Sequence, residues 1–252
     1  LETQGLPDEV RPLVQELNLL FDRVQRAFDA QKSFVADAAH ELRSPLTALR
    51  LQAQTLRRTH LGSDEASRDL AVQRLNQGID RAIALVEQML VLARQEAQGS
   101  RAHAATPVDL QALVRDGITA VLPQAQARGI DLGLLEGDAV EVQGSPDGLH
   151  ILLRNLLDNA IKYTPEHGQV DVELKRDGTV PVLAVDDSGP GLDEEGRARA
   201  FDRFYRAVDV SASGSGLGLA IVKAIADQHG ATVQLLPSSQ LGGLRVEVRF
   251  AG

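Results

Sequence analysis

A histidine on the outer face of a predicted helix is the first candidate for chemistry in this sequence. When residues 33–47 are drawn as a helix, the apolar side chains form one stripe, and His40 lies roughly 140° from the centre of that stripe. Asp37 and Ser44 share the outward face, and Glu41 follows directly. A neutral imidazole is a nucleophile, and a neighbouring carboxylate can orient one ring nitrogen while the other attacks. We interpret His40 as a phosphoryl acceptor, although a lone histidine most often fills a surface or core position.

Such chemistry requires a phosphoryl donor, and the first cluster that could bind one lies on a later predicted helix. Asn155, Asn159 and Lys162 fall on one face at i, i+4 and i+7, followed by Tyr163. Carboxamide oxygens are suitable ligands for Mg²⁺, and a lysine one turn on could hold a phosphate. The alternative interpretation is a solvated polar helix face.

The second cluster follows an apolar predicted strand. Asp186 and Asp187 come directly after the strand, and Gly189 and Gly191 follow. The glycines allow the backbone to approach a flat ligand closely, and the carboxylate can accept from an exocyclic amino group. A simple Asp-Ser-Gly turn is the alternative.

The third cluster is a glycine-rich entry into a helix, formed by Gly214, Gly216, Leu217 and Gly218. Backbone N–H groups at such an entry point toward an anion. The spacing fits neither a Walker A loop nor the dinucleotide fingerprint. A polar stretch before it, residues 207–213, reads as a mobile lid that brings Arg206 toward a phosphate. The alternative is a flexible loop that caps a core helix.

Two long helices must position the histidine. Apolar residues recur every seven positions in the first helix and at steps of three and four in the second, at Val14, Phe21, Phe28, Val35, Leu42, Leu49 and Leu56, then at Val72, Leu75, Ile79, Ala82, Val86, Met89 and Ala93. Two antiparallel helices with apolar seams form half of a four-helix bundle, so the pattern predicts a homodimer. Pro45 should bend or loosen the first helix after His40. A plain coiled-coil dimeriser is the alternative.

The second half of the chain alternates predicted helices and short strands. Helices are predicted over residues 110–127, 146–163 and 216–229, and strands over 130–135, 140–142, 169–174, 180–185, 232–236 and 244–250. Mixed elements of this kind predict a two-layer α/β domain. Residues 95–107, rich in Ala, Gly and Ser, read as a linker.

The composition excludes several classes of function. A net charge of −9 argues against nucleic acid as a partner, and the absence of cysteine excludes disulfides and thiolate metal sites. No apolar run approaches the roughly 20 residues needed to span a bilayer, so we expect a soluble chain. The lack of cysteine fits a reducing compartment such as the cytoplasm, where we expect this fragment.

Together these residues resemble the sensor histidine kinases of two-component signalling. All five of that family's motifs occur in the family's order: the phosphoacceptor box (residues 34–46), the N box (155–164), the first glycine box (187–191), the F box (201–204) and the second glycine box (214–219). The sequence around His40 is most similar to the corresponding sequences of the QseC-like and PmrB-like group. The resemblance implies a Bergerat-type ATP-binding fold after the helical hairpin.

The resemblance also implies a role for each site residue. His40 would accept the γ-phosphoryl group of ATP with Glu41 as base, and Ser44 would support dephosphorylation of the response regulator whose receiver domain is the partner. The other implied roles are Mg²⁺ binding by Asn159 and Asn155, phosphate binding by Lys162 and Arg206, adenine recognition by Tyr163 and Asp187 with Gly189 and Gly191, and triphosphate binding by Gly214, Gly216, Leu217 and Gly218.

By the same resemblance the chain has four parts. Residues 1–30 would be the distal part of a HAMP-like linker helix, with the resemblance carried by residues 6–20. Residues 31–98 would be the dimerisation and phosphotransfer hairpin, 99–107 a linker and 108–252 the catalytic domain. The parent protein would be anchored in the bacterial inner membrane by an upstream segment.

Two other classes of protein remain open at this level. An ATP-driven clamp related to MutL would need a water-activating glutamate where this chain has Asn155, and an amide cannot serve as that base. A non-catalytic coiled-coil adaptor with a degenerate nucleotide pocket would bind no ATP.

Overall fold

The structure is a computed structural model. It describes residues 11–59, 65–98, 106–135, 137, 139–206 and 214–251. The chain divides into two compact units, Leu1–Leu85 and Val86–Gly252. The predicted lid at residues 207–213 falls outside the described residues.

The first unit is built from two long helices, as the heptad pattern predicts. Helix α1 spans Arg11–Thr59 and runs through Pro45 without a break, and α2 spans Glu65–Gln98, continuing into the second unit. Gly78 of α2 is buried against α1, because a Cβ there would lie 2.8 Å from the Leu49 side chain and 2.6 Å from that of Gln52. A glycine at this point lets the two helices approach closely.

Helix α1 exposes much of its apolar stripe in the single chain. Large apolar side chains on its surface include Leu13, Leu17, Leu20, Phe21, Val24, Phe28 and Val35. A heptad-spaced stripe of this kind is the surface that a partner helix covers in a bundle. Of the helices that the structure describes, none is both long and apolar enough to cross a bilayer.

The second unit is an α/β domain, as predicted. Its helices are α3 (Leu110–Ala127), α4 (Pro146–Tyr163), α5 (Glu194–Arg199) and α6 (Gly218–Gln228), and its strands are β1 (Thr106–Asp109), β2 (Asp131–Leu134), β3 (Glu141–Gly144), β4 (Gln169–Asp177), β5 (Val180–Asp187), β6 (Thr232–Pro237) and β7 (Leu244–Arg249). Five strands form one sheet in the order β2-β4-β5-β7-β6, and β1 pairs with β3 in a small second sheet.

The core lies between the large sheet and three helices. Helix α4 packs beside both α3 and α6 and contacts the central strand β5, which is buried along almost its whole length. Side chains with almost no exposure include Leu152, Leu153, Leu156, Leu157, Ile161, Val170, Val172, Leu183 and Ile221. These two layers fix the α4 face, the end of β5 and the start of α6 relative to one another.

Local chemistry explains where the helices begin. The Asp109 carboxylate accepts the N–H of Gln111 at 2.8 Å at the start of α3, and the Ser145 hydroxyl accepts that of Gly148 at 3.3 Å at the start of α4. Pro146 occupies the first turn of α4, where it costs no hydrogen bond. The predicted bounds of α3 and α4 are confirmed.

The linker predicted from composition at residues 95–107 was too long at both ends. Residues 95–98 belong to α2, and Thr106 and Pro107 belong to β1, which pairs antiparallel with β3. The Thr106 hydroxyl donates to the Gly144 carbonyl, 38 residues further along the chain. Because the pairing partner is so distant in sequence, no local pattern indicates that β1 is a strand. Helix α5 was not predicted because six residues are too few to show a periodic pattern.

Candidate functional site

A cavity in the second unit lies between α4, the end of β5 and the segment that follows α5. Its wall is mostly apolar, with a few polar side chains, and consists of Leu156, Asn159, Ala160, Tyr163, Val185, Asp187, Pro190, Gly191, Leu192, Ala200, Tyr205, Arg206, Leu219, Leu244 and Val246. Five of the residues singled out from the sequence therefore meet here: Asn159, Tyr163, Asp187, Gly191 and Arg206. An apolar slot with few polar groups suits a flat heteroaromatic ligand.

Asp187 is the buried acid of this cavity. It is only 6% exposed, and its Oδ1 accepts the backbone N–H groups of Gly189 at 2.9 Å and Leu244 at 3.1 Å. Burial raises the pKa of Asp187, the nearby charge of Asp186 adds to the rise, and the two N–H groups oppose it. The backbone thus fixes a carboxylate where it can accept from an amino group of a ligand.

Two glycines permit this arrangement through close packing. A Cβ on Gly189 would lie 2.8 Å from the Tyr163 carbonyl oxygen, and one on Gly243 would overlap the Asp187 carbonyl. The turn after β5 can therefore lie directly against the end of α4 and the start of β7. Gly191 has a φ of 68°, which favours glycine at that position.

Helix α4 presents its polar face to the cavity only in part. Asn159 and Tyr163 line it, whereas Asn155 does not, and the Asn155 Nδ2 donates to the Ile151 carbonyl at 2.8 Å. Lys162 lies beside Tyr163, with Nζ 3.0 Å from the Tyr163 hydroxyl and 4.5 Å from the ring centroid. The last turn of α4 thus places a cation next to an aromatic ring of the cavity wall.

The glycine-rich loop before α6 packs against these same side chains. A Cβ on Gly214 would overlap the Lys162 ammonium group, and one on Gly218 would lie 2.8 Å from the Asn159 amide nitrogen. Leu217 is completely buried and directly precedes α6, whose start has no side-chain cap. Although this loop does not line the cavity, it brings backbone N–H groups beside the cation and the amide, where phosphate groups of a ligand could bind.

The same loop is tied to the segment that carries Arg206. Gly216 has a φ of 70°, and its carbonyl accepts the N–H of Phe204 at 3.0 Å. Phe204 itself has a φ of 61°, which is uncommon for a residue with a side chain. Strained backbone of this kind concentrates at ligand sites. The two positive φ values therefore mark the boundary between the loop and the cavity wall.

The histidine motif lies on α1 in the first unit. The His40 side chain is 77% exposed, and its Nδ1 lies 3.8 Å from the Glu41 Oε1. Ser44 is also exposed, and the Asp37 carboxylate accepts from the Ser33 hydroxyl at 3.3 Å. Pro45 removes the N–H that would otherwise bond to the Glu41 carbonyl one turn earlier. The imidazole is thus open to solvent with a carboxylate nearby.

Some residues of the site gave no signal in the sequence. Leu244 and Val246 of β7 form part of the apolar wall, and the N–H of Leu244 donates to the Asp187 carboxylate. Both residues are far from Asp187 in the sequence. Ser215 lies within the second glycine box, and its hydroxyl accepts the N–H of Leu217 at 3.2 Å. Only the hydroxyl between two glycines could have drawn attention to Ser215.

Comparison with known families gives two matches, one for each half of the chain. Residues 30–98 match the family described as His Kinase A (phospho-acceptor) domain. Residues 144–251 match the family of histidine kinase-, DNA gyrase B- and HSP90-like ATPases. The first match contains His40, and the second contains every residue of the cavity wall.

Similar proteins extend over almost the whole chain. Sensor protein QseC of Escherichia coli K12 is 41% identical over 99% of this chain, and sensor protein kinase PmrB of Pseudomonas aeruginosa is 36% identical over 98%. The chain spans about half the length of these relatives, 54% and 51%. A solved structure of the mycobacterial sensor histidine kinase MprB is 31% identical over 58% of this chain and 96% of its own, with a TM-score of 0.52.

Proposed function

The chain belongs to the sensor histidine kinase family, and from this premise we propose that it transfers the γ-phosphoryl group of ATP to His40 and then to an aspartate of a response regulator. The observation that carries the proposal is the apolar cavity that is lined by both the fixed carboxylate of Asp187 and the polar side chains of α4. An exposed imidazole on the preceding helical unit supplies the acceptor.

ATP would bind with its adenine in the apolar cavity. Asp187 would accept from the exocyclic amino group, with the turn at Gly189 and Gly191 against the ring and Tyr163 at the end of the slot. The phosphates would leave the cavity beside Lys162 and Arg206, toward the loop that contains Gly214, Gly216, Leu217 and Gly218. Because Lys162 lies against Gly214, the loop and the cation would hold the same phosphate groups.

Mg²⁺ fits the donor chemistry of this region. The Asn159 amide lines the cavity and lies against Gly218 at the start of α6, so an amide oxygen and phosphate oxygens would meet there. Asn155, one turn earlier on α4, would assist. The ion would supply charge neutralisation on the transferred group.

At the acceptor, Glu41 would orient the imidazole and take its proton. Since the Glu41 carboxylate lies nearest Nδ1, the Nδ1–H would point toward it and Nε2 would carry the lone pair. The Nε2–Pγ bond would form as the bond from Pγ to the bridging oxygen breaks, and ADP would leave with that oxygen. The proton from Nδ1 would pass to Glu41. Positioning and charge neutralisation would supply most of the rate enhancement.

The phosphoryl group would then pass to a receiver domain docked on the helices. Ser44, one turn after His40, keeps a hydroxyl that can orient a water, and this supports a phosphatase activity toward the same regulator. The exposed apolar stripe of α1 supports a homodimer in which two hairpins form a four-helix bundle.

The location of the parent protein is part of the same proposal. The resemblance of residues 6–20 to a HAMP linker supports a membrane-anchored sensor of the bacterial inner membrane whose cytoplasmic portion is this chain. Residues 6–10 of that stretch lie outside the described part of the structure.

The test is the labelling of His40. Incubation with ATP radiolabelled at the γ-phosphorus should label the full chain at a site stable to base and labile to acid. His40→Gln should abolish the label. His150→Gln changes an exposed histidine of α4 and should label like the unchanged chain. Label retained by His40→Gln would contradict the assignment, and steady ATP hydrolysis without phosphoprotein would indicate a clamp instead.

A further inference from the structure

The side chain of Arg128 closes the end of the helix that carries most of the site residues. Its Nη1 donates to the carbonyls of Ile161 and Lys162, the latter at 3.1 Å, and its Nη2 donates to the Thr164 carbonyl at 2.8 Å. Arg128 itself follows the last turn of α3, where its own N–H is bonded to the Ala125 carbonyl at 3.1 Å. One planar guanidinium therefore gathers three carbonyls at the end of α4.

The terminal carbonyls of a helix normally have no partner within the helix, and they carry its negative dipole end. In α4 the Ala160 carbonyl accepts the N–H of Thr164 at 3.0 Å, and the next two carbonyls accept from Arg128. The Tyr163 carbonyl lies against Gly189, where a Cβ would come within 2.8 Å of it. The end of α4 is thus held on one side by Arg128 and on the other by the turn after β5.

The backbone that Arg128 holds is the backbone of the site. Lys162 and Tyr163 project from this last turn, one against the glycine-rich loop and the other into the cavity wall. Arg128 does not line the cavity, so it acts only through these residues. The following loop is joined to the same segment, because the N–H of His167 donates to the Arg128 carbonyl at 3.2 Å.

We infer that Arg128 is a positioning residue for ATP binding, which it supports by fixing the last turn of α4 and so the placement of Lys162 and Tyr163. The inference rests on the proposed function of the cavity as an ATP site. Lysine cannot replace the arginine fully, because an ammonium group lacks the planar fork that reaches three carbonyls. Loss of the fork should let the last turn fray while the earlier turn that carries Asn159 stays in place.

The experiment compares Arg128→Met, Arg128→Lys and Arg115→Met in the full chain. Arg115 is an exposed arginine of α3, so its variant is the matched control. Arg128→Met should raise both the Kd for ATP in calorimetry and the KM for autophosphorylation about 10-fold, with kcat at saturating ATP within about two-fold of the unchanged chain. The Kd and KM of Arg128→Lys should lie between those of Arg128→Met and the unchanged chain, and those of Arg115→Met should equal those of the unchanged chain. Amide hydrogen exchange at Thr164 should quicken in Arg128→Met, less so in Arg128→Lys, and not in Arg115→Met.

A purely structural role would lower the melting temperature of Arg128→Met without changing the Kd or KM for ATP, and that result would overturn the inference. A decrease in kcat with no change in the Kd or KM for ATP would also overturn the inference. If Arg128→Met does not fold, Arg128→Lys decides: an unchanged Kd overturns the inference and a Kd raised about three-fold supports it. Since calorimetry requires no phosphoryl transfer, an unchanged chain that binds ATP but gives no phosphohistidine would count only against the proposed function.

Discussion

The carboxylate of Asp187 accepts the backbone N–H of Leu244 at 3.1 Å, across 57 residues of sequence. This hydrogen bond joins the end of β5 to the start of β7, and both residues line the cavity. Since the same Oδ1 also accepts the N–H of Gly189, the side chain has one orientation. The buried acid is therefore placed by backbone donors rather than by a cationic side chain, and its charge carries a cost in stability.

Replacement of Asp187 by asparagine separates ligand recognition from stability. The asparagine Oδ1 can still accept both N–H groups, but its amino group faces the adenine amino group, donor against donor. We expect ATP to bind about 10–100-fold more weakly, since an unpaired buried donor is costly. Calorimetric titration with ATP measures the change. An Asp187→Asn variant that binds ATP like the unchanged chain would remove Asp187 from adenine recognition.

The raised pKa of Asp187 also predicts whether Asp187→Asn is more or less stable than the unchanged chain. A carboxyl whose pKa is higher in the folded protein favours folding at pH values below its ordinary value of 3.8, and that contribution is lost as the pH rises through the raised value. Asp187→Asn, which cannot ionise, should therefore melt at a temperature equal to or higher than that of the unchanged chain at pH 7. The two melting temperatures should converge toward pH 4. A variant less stable at pH 7 would contradict this account.

The residues around Asp187 show what the sequence could predict and what it could not. The strand before it and the glycines after it are local features, and both were predicted. Helix α4 was predicted to its exact bounds, because its cap, its first proline and its apolar stripe all lie within 19 consecutive residues, 145–163. The donor from Leu244 and the guanidinium of Arg128 come from distant positions, since tertiary packing and not periodicity brings them to the site.

A methyl group on Gly216 should disrupt the site. Gly216 has a φ of 70°, and a Cβ there would lie 2.6 Å from the Phe204 carbonyl carbon and 2.8 Å from the Tyr205 carbonyl oxygen, neither of which can rotate away. Gly216→Ala should therefore displace the segment that carries Arg206 and abolish measurable ATP binding.

Gly178→Ala is the control for backbone strain alone. Gly178 has a φ of 64° in the turn between β4 and β5, and a Cβ there would have no atom within 4 Å. This change should cost about 1 kcal/mol of folding free energy and leave ATP affinity unchanged. Thermal melting and ATP calorimetry of Gly216→Ala and Gly178→Ala test this comparison. Equal ATP affinity in the two variants would show that the contact between Gly216 and Phe204 is unimportant.

Arg245 on β7 should contribute strongly to the stability of the sheet. It forms ion pairs with Asp186, which is 5% exposed, with Glu173 at 2.5 Å and with Glu247 at 2.8 Å. Arg245→Met would leave these carboxylates without their shared cation, and we expect a loss of about 3 kcal/mol at pH 7. Urea denaturation measures it. Arg249→Met, at the exposed end of the same strand, should cause only a small loss.

The loss caused by Arg245→Met should depend on pH. Burial acts to raise the pKa of Glu173, but hydrogen bonds from Arg245 and Lys175 outweigh it and hold the pKa below its ordinary value of 4.5. Stability from such a group is present above that value and is lost as the pH falls through the lowered value. The difference in the free energy of unfolding between Arg245→Met and the unchanged chain should therefore become smaller below pH 4.5. A gap that stays constant from pH 7 to pH 3 would mean that packing, not charge, dominates.

The two asparagines of α4 should differ in their importance for Mg²⁺. Asn159 lines the cavity and lies against the start of α6, whereas the Asn155 amide donates to the Ile151 carbonyl within its own helix. Alanine is tolerated in a helix interior, so both Asn→Ala variants should fold. We expect Asn159→Ala to raise the Mg²⁺ concentration for half-maximal autophosphorylation about 100-fold and Asn155→Ala about 10-fold or less. Mg²⁺ titrations at fixed ATP measure both. An equal or larger effect at Asn155 would mean that its side chain leaves Ile151 and turns toward the nucleotide when the ion binds.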